Sequence, residues 1–318
     1  MSFFASLRET TAPSVAVELS GHRVSAASLE WRGGRPVIAA HATEPLPPGA
    51  LVPSLTADNV HDRAAVGAVL GRVFERIGGR PRRVGLVVPD LVAKVSLVRF
   101  EKVPPRAQDL DQLVRWQVRK AAPFPIEEAQ VSYVAGLHAE DGQDFVVSLA
   151  RRRIIEEYER LCADAGAHAG IVDLATFNVI NVVLAAPVVP TGDWLLVNVA
   201  SDYASIVIVR GEHVIFFRNR SAETDGTLAD LVHQTAMYYE DRLEGGGFAR
   251  ILLAGGGHEA AGVDQVRRSL EERLTTPVEM VDPRPAAALT DRITAAPALL
   301  DTLAPLVGLL LRNREAAA

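Results

Sequence analysis

The sequence predicts an α/β protein of two related lobes facing a common cleft, with a small α+β insert inside the first lobe. Two observations carry this. The stretch "SVAVELSGHRVSAASLEWRGGRPVIAAHAT" (14–43) is echoed by "WLLVNVASDYASIVIVRGEHVIFFRNRS" (194–221); each reads as strand, tight turn, strand, Gly-containing turn, strand. Each meander is then followed by an amphipathic helix and a buried-looking strand: "VHDRAAVGAVLGRVFERIGG" and "RRVGLVVPD" in the first half, "TLADLVHQTAMYYEDRLEGGG" and "ARILLAGGG" in the second. A meander–helix–strand unit used twice implies two lobes built alike.

Taken in order, the first helix starts near His61–Asp62–Arg63, with Asn59 or Asp62 placed to cap it. After the first lobe's fourth strand comes material that the second half lacks. "AKVSLVRFEKVPP" reads as a strand, and "AQDLDQLVRWQVRKAA" as a helix presenting Leu110, Leu113, Val114 and Val118. A corner at Pro123-Phe124-Pro125 follows, where proline fixes the backbone direction. Two strands ("QVSYVAGL", "DFVVSLA") and the helix "RRRIIEEYERLCADAG" complete the insert, expected over about 91–165 within a first lobe of 1–190. The strand "HAGIVDL" and the helix after it close that lobe. The second lobe is expected over 191–318 and ends in the apolar helix "LLDTLAPLVGLLLRNR".

At 318 residues, 48% hydrophobic and 23% charged, the composition is that of a globular chain able to bury a large core. A net charge of −6 argues against a nucleic-acid partner, which calls for a basic stripe. Cys162 is the single cysteine, so no disulfide forms within the chain, and its helix is expected to bury it as a structural thiol. "MSFFASLRETTAPS" offers only a two-residue apolar patch before charge, so no secretory signal is expected. "IVDLATFNVINVVLAAPVVP" is interrupted by Asp173, Asn178, Asn181 and two prolines, which is unlike a membrane span.

The sequence has no phosphate-loop motif of the GxxxxGK[ST] type, no HExxH, no GxSxG and no dinucleotide fingerprint, and its histidines lack ligand spacing. Glu127/Glu128 and Glu271/Glu272 read as solvated faces. The most suggestive element is Gly255-Gly256-Gly257, which ends an apolar strand and opens a helix. Glycine permits positive φ and close backbone approach, and helix N-termini attract anions. The triplet therefore suits a phosphate or adenosine loop, but on its own it reads first as a bare strand-to-helix turn.

The order of elements resembles the actin-like (RNase H-like) two-lobed ATPase fold, and its motifs resemble the PilM family of type IV pilus assembly. The resembling segments are the hairpin "SVAVELSGHRVSAASLE", the helix and corner "LVRWQVRKAAPFPIEEAQVSYVAG", the second hairpin "LLVNVASDYASIVIVRGEHVIFFR", the run "ILLAGGGHEAAGVDQVRRSLEERLTTPVEMVDP" and the terminal "LAPLVGLLLR". The Pro-Phe-Pro corner and its helix are the most specific of these, because generic actin-like kinases lack the insert. The resemblance implies that the two hairpins clasp phosphates, that an acidic residue ending each first strand holds Mg²⁺, and that the Gly triplet lies against adenosine. This places Glu18, Ser20, Gly21, Asn198, Ala200, Gly255, Gly256 and Gly257 in a nucleotide cleft.

Several of these residues depart from the family pattern. Its Asp-Ile-Gly is Glu18-Leu19-Ser20 in the first hairpin and Asn198-Val199-Ala200 in the second, and its lysine is Ser25. Only "AETDG" stands where the family has a helical subdomain over the nucleotide. A backbone phosphate site needs glycine, and a metal needs carboxylates. The cleft is thus expected to be vestigial: no catalytic residues, no metal and no cofactor, with ATP/Mg as the alternative. The resemblance implies a cytoplasmic scaffold held peripherally at the inner membrane by the tail of a PilN-like membrane protein, alongside other pilus-platform or secretion components. The resemblance also implies that the tail docks in a groove between the first lobe and the insert, and Trp116, Phe124 and Ile126, near the insert corner, are the candidates to line it. The alternatives are an active ATPase or phosphotransferase, or the cytoplasmic part of a type II secretion component; self-association stays open.

Overall fold

The computed structural model describes residues 13–256 and 260–312. The first meander forms β1 (Val15–Leu19), β2 (Arg23–Arg32) and β3 (Arg35–Pro45). Helix α1 (Arg63–Arg76) follows, capped by the Asp62 carboxylate, which accepts from the Ala65 amide at 2.9 Å. Strand β4 (Arg83–Val88) then inserts parallel to β1, with Ala16 opposite Gly85. Its near-continuous apolar run suits a central strand covered on both faces. Strand β8 (His168–Leu174) pairs parallel with β4 and ends the sheet.

The second lobe repeats the plan with β9 (Asp193–Val199), β10 (Tyr203–Arg210), β11 (His213–Ser221), α5 (Leu228–Arg242), β12 (Arg250–Gly255), α6 (Ala260–Leu274) and the short β13 (Glu279–Met280). Its strand order is β11-β10-β9-β12-β13. Only residues 222–227 separate β11 from α5, whose N-terminus Thr227 caps. The insert is a three-stranded antiparallel sheet of β5 (Ala93–Phe100), β6 (Ala129–Ala139) and β7 (Gly142–Arg151), with β7 central and α2 (Ala107–Val118) packed on it through Val114 and Val118.

Two boundaries differ from the sequence expectation. Helix α3 (Arg152–Asp164) does not belong to the insert: Ile154, Tyr158, Leu161 and Cys162 are buried in the first lobe's core, so the insert closes at Arg151. The Cys162 thiol is fully buried and its pKa is pushed up to about 12, mainly by burial. The C-terminal segment does not stay in the second lobe. Strand β14 (Ala288–Leu289) pairs with β3 of the first sheet, and α7 (Pro297–Leu311) lies with α4 (Ala175–Leu184) in an apolar layer between the two sheets. A Cβ at Gly308 of α7 would stand 1.7 Å from the Asn178 carbonyl oxygen of α4, so the crossing requires glycine there. Among the described residues no helix is long and apolar enough to cross a membrane.

Candidate functional site

The duplicated topology brings the ends of β1, β4, β9 and β12 together at the interlobe cleft. Glu18, Ser20, Asn198, Ala200, Gly255 and Gly256 line one cavity there. Gly21 stands beside it, where an added Cβ would lie 3.3 Å from Asp202 Oδ2 of the opposite hairpin. Gly257 lies outside the described residues. The cavity holds about 40 Å³, room for about three waters.

Much of its polar backbone is already bonded within the chain. The Ser20 amide donates to the Arg23 carbonyl (3.1 Å), the Ala200 amide to Tyr203 (2.8 Å) and the Gly256 amide to Val199 (2.7 Å). The Gly255 amide donates to the Asp301 carboxylate of α7. Gly255 has φ +79°, and a Cβ there would fall 1.8 Å from the Val199 carbonyl oxygen. Its glycine is compelled by the way β12 meets β9. Glu18 lies 3.6 Å from the Arg23 guanidinium. Burial raises the Glu18 pKa; Arg23 opposes that rise, and Asp301 and Asp90 reinforce it.

Beneath the cavity sits a polar cluster that the motif pattern does not announce. Asp90, just past β4, is fully buried. Its carboxylate accepts from the Thr176 amide at 3.1 Å, from the Thr176 hydroxyl, and from Ser205 Oγ at 2.5 Å. Asn198 Nδ2 donates to Thr176 Oγ1 at 2.8 Å, and Asn219 Nδ2 to the Asp90 carbonyl at 3.3 Å. Burial raises the Asp90 pKa against the lowering pull of Ser205 and Thr176. Asn198 thus acts as a donor to a buried hydroxyl, a task its amide performs and an ionised carboxylate could not. The one sequence hint to Asp90 is an acidic side chain directly after the apolar run "GLVVP". Nothing local marks Thr176, Ser205 or Asp301.

A second concavity runs between the insert and the first lobe. One hollow of about 500 Å³ is bounded by β6, by Phe177, Ile180, Asn181 and Leu184 of α4, and by Glu212–Val214 at the β10–β11 turn. Another of about 390 Å³ lies between β6, β8 and α3. Both are lined by Ser132, Ser148, Asp173 and Arg312, and the last two form an ion pair at 2.6 Å. The three aromatic and aliphatic candidates lie elsewhere. Phe124 and Ile126 pack against the insert's own core, with the Arg151 guanidinium 5.7 Å above the Phe124 ring. Trp116 is 68% exposed on α2. None of them lines either hollow; Val134, 57% exposed on β6, does.

The profile of the type IV pilus assembly protein PilM family matches residues 16–241. The chain belongs to the PilM family. The structure superposes on a PilM–PilN type IV pilus biogenesis complex with a TM-score of 0.81 at 18% identity, covering 95% of this chain and 99% of that one. Weaker likenesses, each with a TM-score of 0.49, are to a Bacteroides thetaiotaomicron protein with an actin-like ATPase fold and unknown function (11% identity, 90% and 95% covered) and to the ethanolamine utilization protein EutJ of Carboxydothermus hydrogenoformans (10% identity, 95% and 90% covered). The two-lobed architecture of this PilM-family chain is the fold seen in the PilM–PilN complex, and its first lobe carries the insert's corner helix and sheet.

Proposed function

We propose that this PilM-family protein is a scaffold of a type IV pilus assembly platform, binding the tail of a PilN-like membrane protein without nucleotide chemistry. The observation that carries the reading is the contrast between the two concavities. The interlobe cavity of about 40 Å³ is far below the roughly 300–1,000 Å³ of ordinary ligand sites, whereas the hollows beside the insert, about 500 and 390 Å³, fall within that range.

The residues at the cleft do not fit ATP with its magnesium. The second carboxylate is replaced by Asn198, whose amide is committed to Thr176. Four amides of the hairpins and glycine turn are bonded internally, which leaves them unavailable to cradle a phosphate. Glu18 is paired with Arg23, so a guanidinium already stands beside the carboxylate that a metal would use. The groove, by contrast, presents exposed Val134 and the side chains of α4 next to β6 and β8, each the end strand of its sheet among the described residues. An extended tail can place alternate side chains into such hollows while its backbone meets an open edge. Attachment through that tail would hold the protein at the inner membrane.

The test is a fluorescence-anisotropy titration of the full chain with a synthetic peptide copying the cytoplasmic tail of a PilN-like protein from the same organism. Saturable binding with the same affinity in the presence and absence of Mg-ATP is expected. Val134→Asp should weaken it about tenfold or more, as loss of a central apolar contact does. No binding, ATP-dependent binding, or native affinity in Val134→Asp would overturn the proposal.

A further inference from the structure

The cleft and the groove share one helix and one hairpin. Helix α4 carries Phe177, Ile180, Asn181 and Leu184 into the groove wall, and its first turn holds Thr176, whose amide and hydroxyl both donate to Asp90. A carboxylate at that end of a helix also meets the positive pole of its dipole. The opposite rim of the groove is the β10–β11 turn, Glu212 to Val214. The same two strands bring Ser205 and Asn219, cross-strand partners in register, onto Asp90. Both walls of the larger hollow are therefore tied to one buried residue.

The bonds in this cluster have a fixed direction. The Thr176 hydroxyl has one proton, which goes to Asp90, and its lone pair receives Asn198 Nδ2. Ser205 gives its proton to the same carboxylate. Asp90, Thr176 and Ser205 are fully buried, and Asn198 is 7% exposed at the edge of the interlobe cavity. A buried polar network satisfied in this way permits one arrangement of its members and penalises others.

We infer that Asp90, Thr176 and Asn198 are positioning residues for the partner groove: the polar centre of the interlobe cleft holds α4 against the β10–β11 hairpin and thereby sets the width of the hollow. This rests on the groove being the tail site. It gives the motif residues of the second hairpin a task in which no nucleotide takes part.

Thr176→Val, which removes the hydroxyl at nearly constant shape, and Thr176→Ser, which keeps it, test this in the full chain. Thr235→Val is the control: that hydroxyl is also buried, but it donates at 2.8 Å to Leu231 within α5, away from the groove. The readouts are hydrogen exchange of the amides of residues 177–184 and affinity for the tail peptide. Thr176→Val should speed exchange in α4 and weaken the peptide by about three- to thirtyfold. Thr176→Ser should restore both, and Thr235→Val should alter neither. Native exchange and affinity in Thr176→Val, or an equal loss in Thr235→Val, would overturn the inference. If the native chain binds no peptide, the groove reading fails, and α4 exchange alone decides whether the cluster holds the helix. Should Thr176→Val fail to fold, Asn219→Ala removes a single donor at the partly exposed edge of the cluster. The same changes at smaller size are then expected, and native behaviour would overturn the inference.

Discussion

Asn198→Asp places an acidic residue where the family pattern has one in the second hairpin, and the structure predicts that it weakens the fold. Asn198 Nδ2 donates to Thr176 Oγ1 at 2.8 Å in a site 7% exposed, and the Thr176 proton is already committed to Asp90. A new carboxylate has two choices. Ionised, it faces an oxygen that offers no proton and adds a second anion beside Asp90; the unpaired buried acceptor alone costs about 1–3 kcal/mol, before repulsion. Protonated, its hydroxyl can replace the lost donor, but holding an aspartic acid neutral at about pH 7 costs about 4 kcal/mol. The loss at neutral pH is therefore about 2–4 kcal/mol, a large share of the roughly 5–15 kcal/mol that stabilises a domain. The sign of its pH dependence follows from linkage. The folded-state pKa of the new group is raised above its unfolded value, so the penalty is nearly absent below about pH 4. It grows by at most about 1.4 kcal/mol per unit as pH rises toward the folded-state pKa, and is constant above it. Urea unfolding of both proteins at about pH 5 and about pH 7.5 measures this as a difference in midpoint at unchanged slope. Native stability at neutral pH, or a penalty that does not shrink in acid, would refute the reasoning.

Gly308→Ala should cost more than about 4 kcal/mol, because its Cβ would fall 1.7 Å from the Asn178 carbonyl at the α4–α7 crossing; a melting temperature within about 2 °C of native would contradict this. Calorimetric titration with Mg-ATP should show no saturable heat tighter than about 1 mM, about −4 kcal/mol, and a micromolar constant would sink the reading of the cleft. Phe124→Ala should lower stability by about 1–2 kcal/mol, as expected for a half-buried ring of the insert core, and leave tail affinity unchanged; loss of the peptide in a folded variant would return Phe124 to the groove. Burial raises the Asp90 pKa, so over a window above the ordinary carboxylate range the folded chain keeps a proton that the unfolded chain has lost. Stability falls as pH rises through that window; Asp90→Asn should flatten the fall in a pH series of unfolding midpoints, and an unchanged slope would show that Asp90 does not carry it.

Apolar periodicity made the repeated units legible, because a meander or an amphipathic helix declares which of its faces is buried. It does not declare what that face is buried against. The sequence therefore marks "RRRIIEEYERLCADAG" as a helix without revealing that Ile154, Tyr158 and Leu161 join the first lobe's core and not the insert's. Likewise the apolar terminal helix could be assigned to the lobe it follows, although Leu303, Leu306 and Leu310 fill the layer between both sheets. Phe124 and Ile126 show the same limit at the groove: apolar side chains beside a proline corner are equally available to a partner or to the local core, and the local core takes them. The polar cluster was hidden for another reason. Asp90, Thr176, Ser205 and Asn219 are scattered over 130 residues, and only the stacking of two sheets brings them to one carboxylate.

Retained and altered motif residues carry opposite lessons at this cleft. Gly255 matches the pattern of an adenosine loop, yet its positive φ and the Val199 carbonyl 1.8 Å from any Cβ demand glycine whether or not a nucleotide is ever present. Its presence is therefore no argument for nucleotide binding. Asn198 departs from the pattern and reads as simple loss of a metal ligand, yet its amide supplies the donor that the Asp90–Thr176 pair lacks. A second carboxylate there would serve a magnesium ion, which brings its own positive charge; without that ion, an amide is the group that leaves Asp90 as the cluster's one anion. The substitution thus fits a cleft whose energetic task is to join two lobes, and that join fixes the groove beside the insert.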